Sequence, residues 1–348
     1  MQQIPDILQF SKNQKGVLQK HELNALHLLS LKNPMKLCRF LETPIYYLEK
    51  IINSPEYKQY TITKKRGGKR YIFEPQKRLK RIQKRLNYYL QAYYLCIKPE
   101  EVHGFVINPH YLNKTHCNIV ANAEVHTGKK HMLNIDLKDF FPSIPARRIK
   151  KLFTSPIFNF SEQIATALTL LTTYEAKLPT GAPTSPILSN FVCLELDADL
   201  RNFCRENQLQ FTRYADDLTF SSNEFISNEI ILKIKDLIHR HGFEPNEKKV
   251  YLKSAHHKQT VTGLIVNEKV NIDRKQLKKI RAMLHDSTKN GIETAAQRHF
   301  NLTNPPDEEQ QQLFIHRLNG YINFVGQVRG KNDPIYQRMA GEFHEIIY

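Results

Sequence analysis

Two neighbouring carboxylates, Asp216 and Asp217, lie between two short apolar runs that are rich in aromatic and β-branched residues. Phe211 belongs to the run before the pair, and Phe220 belongs to the run after it. Runs of this composition predict the two strands of a tight hairpin within residues 209–222, with the Asp pair at its tip. Carboxylates held together at such a tip repel each other and need a cation, and hard oxygen ligands suit Mg²⁺.

A third carboxylate, Asp136, lies near the end of a second strand candidate, Met132–Leu137, and the chain then breaks at Pro142. An isolated Asp-Asp pair is more often a solvated turn than a site. An Asp at a strand end beside an Asp-Asp hairpin, however, is the ligand set for two metal ions about 3.5–4 Å apart that clamp the attacking and leaving oxygens of phosphoryl transfer. The three carboxylates together predict such a site.

A cation-rich hairpin is predicted upstream, over residues 57–74. Aromatic and aliphatic residues alternate on both sides of the segment Lys64–Arg70, and Gly67-Gly68 suits a two-residue turn. This segment carries five Lys and Arg residues at the hairpin tip, which packing does not explain. A contact with phosphates explains them, and a generic RNA-contacting loop is the alternative.

Helices are predicted for most of the remaining chain, over residues 1–55 and 145–176 and within 223–250, the last ending at Gly242. Residues 76–95 predict an amphipathic helix whose basic side, including Arg81, either faces solvent or follows phosphates. Asp273 is the expected cap of a helical tail whose cations, including Lys278, face outward. Residues 259–266 predict one strand that Gly263 interrupts.

The composition favours a polyanionic partner. The chain has 348 residues, with 51 Lys and Arg against 34 Asp and Glu, and a formal net charge of +17. Such a charge predicts salt-dependent binding of nucleic acid, although ribosomal proteins share the property. Five scattered cysteines suggest neither a zinc site nor disulfides. No apolar run is long enough for a membrane span and no signal peptide is recognisable, so we expect a cytoplasmic protein without a membrane partner.

Several of these segments, taken together, resemble the reverse transcriptases. Tyr214-Ala-Asp-Asp217 resembles their active-site box, Asp136–Phe141 resembles their first palm carboxylate with the steric-gate position, and Leu178–Pro186 resembles the loop that opens their template-side helix. Two further elements, Asn122–His126 and Val261-Thr-Gly263, resemble the markers of bacterial retron reverse transcriptases, a branch of the group II intron-like superfamily. The motifs follow the family order and cover about residues 60–270.

This resemblance implies an α+β right-hand polymerase fold with fingers, a palm built on an antiparallel sheet and a helical thumb. The boundaries that it implies are an N-terminal helical region over 1–55, fingers over 56–131 with part of 145–180 interleaved, a palm over 132–265 and a thumb over 266–348.

The resemblance also assigns site residues. Two Mg²⁺ ions are expected on Asp136, Asp216 and Asp217, with the main-chain carbonyl of Leu137 as a further ligand. Lys249 is the expected general acid, in preference to Lys248, and a plain surface turn is the alternative. The residues implied in nucleotide binding are Arg70, Lys69 or Lys64, Asp139, Phe140, the steric gate Phe141, Thr180 and Gly181. Thr180 stands where the family usually has Gln, which puts inferences about fidelity in doubt.

A set of RNA contacts is implied in the same way: Asn122, His126, Val261, Thr262, Gly263, Arg81 and Lys278. From the residues alone, His126 is a structural histidine, whereas the resemblance implies that Asn122 and His126 form hydrogen bonds to bases or 2′-hydroxyls of a cognate RNA.

The function that follows is RNA-directed DNA synthesis by a retron enzyme. The expected partners are a structured noncoding RNA, deoxynucleoside triphosphates, the branched RNA-linked DNA (msDNA) and an effector or toxin protein in antiphage defence. Two alternatives stay open at this point. One is another bacterial reverse transcriptase, either defence-associated or group II intron-like, and the other is a basic RNA-binding scaffold that restrains a toxin.

Overall fold

The computed structural model describes residues 18–63, 67–108 and 117–347. The strands are β1 (Tyr57–Thr63), β2 (Lys69–Pro75), β3 (His131–Asp136), β4 (Gln210–Tyr214), β5 (Asp217–Ser222), β6 (Tyr251–Ser254), β7 (Thr260–Val261) and β8 (Leu264–Ile265). The helices are α1 (Lys20–Leu29), α2 (Pro34–Phe40), α3 (Ile45–Asn53), α4 (Lys77–Ile97), α5 (Ile119–Glu124), α6 (Ala146–Thr154), α7 (Glu162–Thr172), α8 (Ser185–Val192), α9 (Leu194–Glu206), α10 (Asn228–Arg240), α11 (Arg274–Phe300), α12 (Glu308–Arg329) and α13 (Pro334–Ile347).

The strands form the hairpins that the sequence predicts. β1 and β2 pair antiparallel, with Thr63 opposite Lys69. Five residues therefore separate the paired strand ends, and the prediction of a two-residue turn at Gly67-Gly68 was wrong. A four-stranded sheet has the order β4-β5-β3-β6, so the strand that ends at Asp136 lies beside the strand that begins at Asp217. This strand order brings the three predicted carboxylates to one region of the sheet. It also gives the mixed helical and antiparallel composition expected of the α+β class.

The chain divides into two compact units, each with its own core. The first unit comprises residues 1–117, 133–220 and 226–251, and the second comprises 118–132, 221–225 and 252–348. This division cuts across the four predicted regions, because residues 118–131 of the predicted fingers group with 252–348. The scheme of fingers, palm and thumb boundaries stays a prediction.

The first unit is built around α4, whose apolar side is buried and whose basic side is exposed. Leu86, Leu90 and Tyr94 have no exposed surface, and Tyr94 packs edge-on against Phe191 of α8 at 5.1 Å between ring centroids. The spacing of these residues is that of one helix face, as predicted. Packing on α4 therefore fixes the helices that flank the four-stranded sheet.

The second unit is built from α11, α12 and α13, which pack on one another. Asp273 caps α11 by accepting a hydrogen bond from the Lys275 backbone N–H at 2.9 Å, which confirms the predicted cap. The helix is interrupted at Gly291, where φ is +78°. Buried residues such as Phe314 and Ile322 of α12 fill the core of this unit.

One predicted strand is two strands. Residues 259–266 form β7 and β8, which pair antiparallel, and Thr262 and Gly263 make the turn between them. The prediction of a single interrupted strand was wrong because Thr262 and Gly263 both adopt positive φ, +47° and +87°. Consecutive residues with positive φ reverse the chain direction in a tight hairpin.

Among the described residues, no helix combines the length and apolar character needed to cross a membrane.

Candidate active site

The β4–β5 hairpin carries the adjacent carboxylates on a two-residue turn. β4 ends at Tyr214, Ala215 and Asp216 make the turn, and β5 begins at Asp217. Ala215 has φ of +60°, a left-handed conformation that costs an L-residue on the order of 1–2 kcal/mol. A non-glycine residue keeps such a conformation only where its surroundings hold it.

The fully buried side chain of Arg213 supplies that support. Its Nε and Nη2 donate to the two carboxylate oxygens of Asp197 in α9, at 2.6 and 2.7 Å. Its Nη1 donates to Asn190 Oδ1 at 3.0 Å and to the carbonyl oxygen of Ala215 at 3.1 Å. Burial opposes the charge of Arg213, but Asp197 outweighs it and raises the pKa of Arg213, so the guanidinium stays cationic. The strained turn is therefore anchored to a desolvated, bidentate ion pair.

Gly104 closes the other side of the turn. A Cβ atom at this position would lie 2.4 Å from the Ala215 nitrogen and 2.9 Å from the Tyr214 carbonyl carbon, so no other residue fits. The Asn190 side-chain amide donates to the Gly104 carbonyl at 3.0 Å, and the His103 N–H donates to the Arg213 carbonyl at 3.0 Å. The segment around Gly104 thus runs against the hairpin and limits where its turn can lie.

The residues that support the turn were not among the predictions. Arg213 lies three residues before Asp216, but nothing in the sequence near it identifies Asp197 or Asn190 as partners. The only local signal is a charged residue inside an apolar strand pattern, since a buried Arg requires a buried partner.

Asp136 meets the hairpin from β3. Its neighbour Leu137 donates its N–H to the Asp216 carbonyl at 2.9 Å, which ties the end of β3 to the turn. The Asp136 carboxylate accepts from Lys249 Nζ at 2.7 Å and from Asn246 Nδ2 at 3.1 Å. Lys249 belongs to a short 3₁₀ turn, Glu247–Lys249, which the Asn246 N–H fixes to the Asp136 carbonyl at 2.7 Å.

The charges of the three carboxylates act on one another, and burial adds to their effect. Burial, then Asp216 and Asp136, raise the pKa of Asp217 to about 7, although part of its side chain is open to solvent. Burial and the charge of Asp136 raise the pKa of Asp216. The positive charges of Lys249 and Arg70 lower the same pKa, but by less. Burial lowers the pKa of Lys249, but the hydrogen bond to Asp136 and the three negative charges outweigh it and raise that pKa. Lys249 therefore stays protonated beside the acids.

These residues fit a divalent cation by the chemistry of the donors. Asp136, Asp216 and Asp217 offer hard oxygens whose mutual repulsion a cation would relieve, and the Leu137 carbonyl lies next to Asp136 in the chain. In the conformation described, Asp136 is turned towards Lys249 and Asn246, and within the described ranges no three His, Cys, Asp or Glu side chains already converge as a metal cage. Such a site is completed by substrate phosphates and water.

The predicted nucleotide-binding loop contacts the β1–β2 hairpin. The Phe73 N–H of β2 donates to the Thr180 carbonyl at 2.8 Å. Gly181 has φ of +118°, and a Cβ there would lie 2.8 Å from Ile72 Cγ2 and 3.0 Å from the Phe73 carbonyl oxygen. The small residue is thus required by close backbone packing, and the loop is fixed against the strand that carries Arg70.

Of the cations on that hairpin, Arg70 acts on the site, since its charge lowers the pKa of Asp216 against the effect of burial. Lys69 is exposed at the first position of β2. Lys64 falls on residues 64–66, outside the described part of the chain.

The residues after Asp136 divide into exposed and buried positions. Asp139 is exposed with φ of +45°, and Phe141 is half-buried and stacks on Phe105 at 5.7 Å between ring centroids. Phe140 is only 5 % exposed and packs against Phe243 at 5.7 Å. The Phe140 side chain is therefore part of the core, and the role of this residue in nucleotide binding stays a prediction.

Two of the predicted RNA contacts are also buried. Asn122 and His126 are 1 % and 0 % exposed, and His126 Nδ1 lies 2.7 Å from Ser221 Oγ. Hydrogen bonds from these side chains to RNA bases are therefore excluded in this conformation, because both lie in the interior of the second unit. The structural interpretation of His126 from the residues alone agrees with its burial.

The three residues of the neighbouring Val261–Gly263 element differ in their exposure to solvent. Val261 is fully buried, Thr262 is half-buried with its hydroxyl 3.4 Å from the Ile119 carbonyl of α5, and Gly263 is exposed at the turn. Only the turn itself is open to a partner. Arg81 and Lys278 are both exposed, with 81 % of the Arg81 side chain open to solvent.

Comparison with known proteins identifies the family. The model of the reverse transcriptases (RNA-dependent DNA polymerases) matches residues 62–267. The retron Ec86 reverse transcriptase of Escherichia coli is 35 % identical over 238 residues, which are 66 % of this chain and 69 % of that protein. The retron Mx65 reverse transcriptase of Myxococcus xanthus is 32 % identical over 67 % of this chain and 56 % of that protein.

A solved structure of telomerase from Candida albicans, in complex with a TWJ fragment of telomeric RNA, aligns over 95 % of this chain and 68 % of that one. Its TM-score is 0.47 and its sequence identity is 10 %. The family model spans more than half of the chain and includes the hairpin, the β3 carboxylate and the Gly181 loop. The chain therefore belongs to the reverse transcriptases, RNA-directed DNA polymerases with the right-hand α+β fold, and within them to the relatives of the retron enzymes.

Proposed function

We propose that the chain copies a structured noncoding RNA into single-stranded DNA that stays joined to the RNA, starting from a 2′-hydroxyl of that RNA. The observation that carries the catalytic part is the meeting of Asp136 with the Asp216–Asp217 turn beside Lys249 and Arg70. The retron relatives support the branched product and the choice of RNA. In this proposal the protein acts in the cytoplasm, in antiphage defence, together with an effector or toxin protein.

Asp136, Asp216 and Asp217, with the Leu137 carbonyl, are the groups that would hold two Mg²⁺ ions. When bound, divalent ions lower the pKa of an attacking hydroxyl and stabilise the leaving pyrophosphate. The carboxylates then orient the primer end and the triphosphate. Arg70, at the hairpin beside the Thr180–Gly181 loop, offers a guanidinium to the triphosphate.

Two other side chains complete the proposed reaction. Lys249 is protonated at the site and supplies a proton to the leaving pyrophosphate as general acid. Phe141, held by stacking on Phe105, occupies the position where a nucleotide 2′-hydroxyl would be crowded, so deoxynucleotides are selected by steric exclusion.

The test uses purified protein, its neighbouring noncoding RNA, MgCl₂ and deoxynucleoside triphosphates. The wild-type protein should give DNA covalently joined to RNA, detected as a product that ribonuclease trims but does not remove. The Asp216→Ala, Asp217→Ala double variant should give none while it still folds and binds the RNA. A matched control is Glu308→Ala, Glu309→Ala, which removes two adjacent exposed carboxylates at the start of α12 and should leave the yield unchanged.

Equal DNA yield from the Asp216→Ala, Asp217→Ala variant would overturn the catalytic assignment. If DNA forms only on an external primer, with no RNA–DNA branch, the chain does not catalyse the retron reaction and is another kind of bacterial reverse transcriptase. Sequencing the nucleic acids that copurify with the protein identifies the template in either case.

A further inference from the structure

A surface of exposed aromatic and basic side chains lies in the first unit, away from the carboxylates in sequence. It is formed by the first turn of α3 and the exposed stripe of α4, and we call it the α3–α4 surface. Its members are Tyr46, Tyr47, Lys77, Arg78, Arg81 and Lys84. We propose that the α3–α4 surface binds an unpaired RNA strand, by stacking bases on the two tyrosines and pairing phosphates with the four cations; this rests on the proposed function, in which RNA is the template.

Both tyrosines of the surface are exposed. Tyr46 is 68 % exposed and Tyr47 is 46 % exposed, and their rings meet edge to face at 5.6 Å. Both follow Pro44, the residue that caps α3, so they lie on the first turn of that helix. Aromatic rings in this position contribute little to the core of the unit, whereas their open faces match those of unstacked bases.

The cations lie at spacings that place them on one side of α4. Lys77, Arg81 and Lys84 are separated by four and three residues, which puts them on one helix face over about 10 Å. Arg78 extends the row to α3, with its guanidinium carbon 5.4 Å from the centre of the Tyr47 ring. Within the described residues, no carboxylate lies at ion-pair distance from Lys77, Arg78 or Lys84.

The cations on the basic side of α4 differ in whether a carboxylate pairs with them. Those without such a partner are available to bind phosphates. Lys80 is paired with Glu74, and Arg85 is paired with Glu42 at 3.0 Å and also donates to the Phe40 carbonyl. These two cations therefore serve the fold. Arg81 lies 3.8 Å from the same Glu42 with 81 % of its side chain exposed, a pairing too loose to occupy it.

A groove of about 240 Å³ lies between the two helices. Pro44, Ile51 and Ile82 contribute its apolar lining, and Tyr47, Arg78 and Arg81 its aromatic and cationic lining. Thr43 and Glu42 complete the lining, and the charge of Glu42 is paired with Arg85. The volume is below the roughly 300–1,000 Å³ of ordinary small-molecule sites, which argues against a metabolite. The exposed lysines Lys77 and Lys84 argue against a protein interface, because lysine is depleted in such interfaces. Charge and aromatic faces together favour single-stranded nucleic acid.

The test measures binding of a fluorescein-labelled, unstructured 12-nucleotide RNA to the full chain by anisotropy. Tyr46→Ala, Tyr47→Ala should raise the Kd at least about tenfold, as loss of base stacking on two rings predicts. Tyr46→Phe, Tyr47→Phe keeps both rings and should bind within about twofold of wild type. Arg78→Gln, Arg81→Gln should reduce the slope of log K against log salt by about 1.4, at about 0.7 for each lost phosphate contact.

The matched control for charge is Arg240→Gln in α10, which removes an exposed arginine that is ion-paired with Asp236 and should leave both Kd and slope unchanged. Photocrosslinking of the same RNA containing 4-thiouridine should label the peptide with Tyr46 and Tyr47 in wild type. An unchanged Kd in the Tyr→Ala variant, with crosslinks elsewhere, would overturn the proposal. If the Tyr→Ala variant keeps the wild-type Kd but loses a protein that copurifies with the wild type, the α3–α4 surface is a protein interface and not an RNA-binding surface.

DNA synthesis by the same preparations separates this proposal from the proposed function. A wild-type protein that binds and crosslinks the RNA at α3 but makes no DNA supports the α3–α4 surface and refutes the polymerase mechanism. A wild-type protein that makes DNA, with a Tyr→Ala variant that binds the RNA as tightly, refutes the surface alone.

Discussion

At the scale of single residues, the three carboxylates of the site repel one another, and either protonation or a bound cation relieves this repulsion. The pKa of Asp217 is raised to about 7 by burial and by Asp216 and Asp136. The folded chain therefore holds a proton on Asp217 at pH values where the unfolded chain, with an ordinary Asp pKa, has released it. The contribution of this group to stability is greatest below the unfolded pKa and falls as pH rises towards 7.

We therefore expect MgCl₂ to raise the Tm of the protein more at about pH 8 than at about pH 5, because only the ionised carboxylates repel one another and attract the cation. In EDTA at the higher pH, Asp217→Asn should be more stable than wild type, and MgCl₂ should stabilise it less. Thermal unfolding followed by fluorescence measures both effects. Equal stabilisation by MgCl₂ at the two pH values would show that Asp217 is not part of the cation site.

Arg213 is a positioning residue for the same carboxylates, since it acts through the Ala215 carbonyl and not on substrate. Arg213→Lys keeps a cation but loses the planar fork that binds both oxygens of Asp197. We expect a drop in kcat of about tenfold or more, a rise in the MgCl₂ concentration for half-maximal activity, and unchanged RNA binding, as a misplaced turn predicts.

The control for that substitution is Arg201→Lys, because Arg201 lies 3.8 Å from Glu101 and contacts the same region without bonding to the turn. This variant should keep the wild-type dependence on MgCl₂. If Arg213→Lys lowers the Tm but leaves the dependence of activity on MgCl₂ unchanged, Arg213 only stabilises the fold.

At the scale of elements, the active site depends on how closely backbone segments approach. The β4–β5 turn lies against the segment at Gly104, and the Gly181 loop lies against β2, and in both places a Cβ atom would meet main-chain atoms at 3.0 Å or less. The two glycines thus set the position of the carboxylates and of the loop beside the Arg70 hairpin.

Gly104→Ala should separate the turn from its support. We expect loss of most DNA synthesis and a destabilisation of about 1–3 kcal/mol, as for other overpacked sites, because backbone cannot rotate away as a side chain can. Chemical denaturation and primer extension are the measurements. Gly320→Ala is the control: its new Cβ meets nothing within 4 Å on the exposed side of α12, and it should stabilise the protein by about 0.5–1 kcal/mol. Wild-type activity of Gly104→Ala would contradict the close approach.

At the scale of the whole molecule, a net charge of +17 makes RNA binding depend on ionic strength. Lys278 is an exposed cation on α11, and Lys279 beside it lies over the Tyr321 ring at 5.7 Å. If α11 contacts RNA phosphates, Lys278 contributes one released counterion and little sequence preference.

Lys278→Gln should therefore weaken binding of the cognate RNA uniformly and reduce the slope of log K against log salt by about 1. A titration of binding across salt concentrations gives the slope. Lys233→Gln in α10, where the lysine is already paired with Glu229 at 2.7 Å, should change neither quantity. A slope that is unchanged in Lys278→Gln would place α11 outside the RNA contact.

The sequence by itself determined the local elements and the reacting groups. Alternating apolar residues predict the two strands of the β1–β2 hairpin, the apolar stripe predicts α4 within two residues of its ends, and Asp273 caps α11. These predictions succeed because hairpins, amphipathic helices and caps depend on neighbours close in the chain. The order of short motifs likewise identified the reverse transcriptase family, whose model matches residues 62–267.

Only the tertiary structure decided which side chains are available and what holds the site. Asn122, His126 and Phe140 have the residue types of a binding surface, yet all three are buried. The partners of Arg213 come from α8 and α9, which precede it by 16 to 23 residues, and Gly104 is more than a hundred residues away. Burial and partner choice result from packing between segments remote in sequence, and local periodicity carries no information about which segments meet.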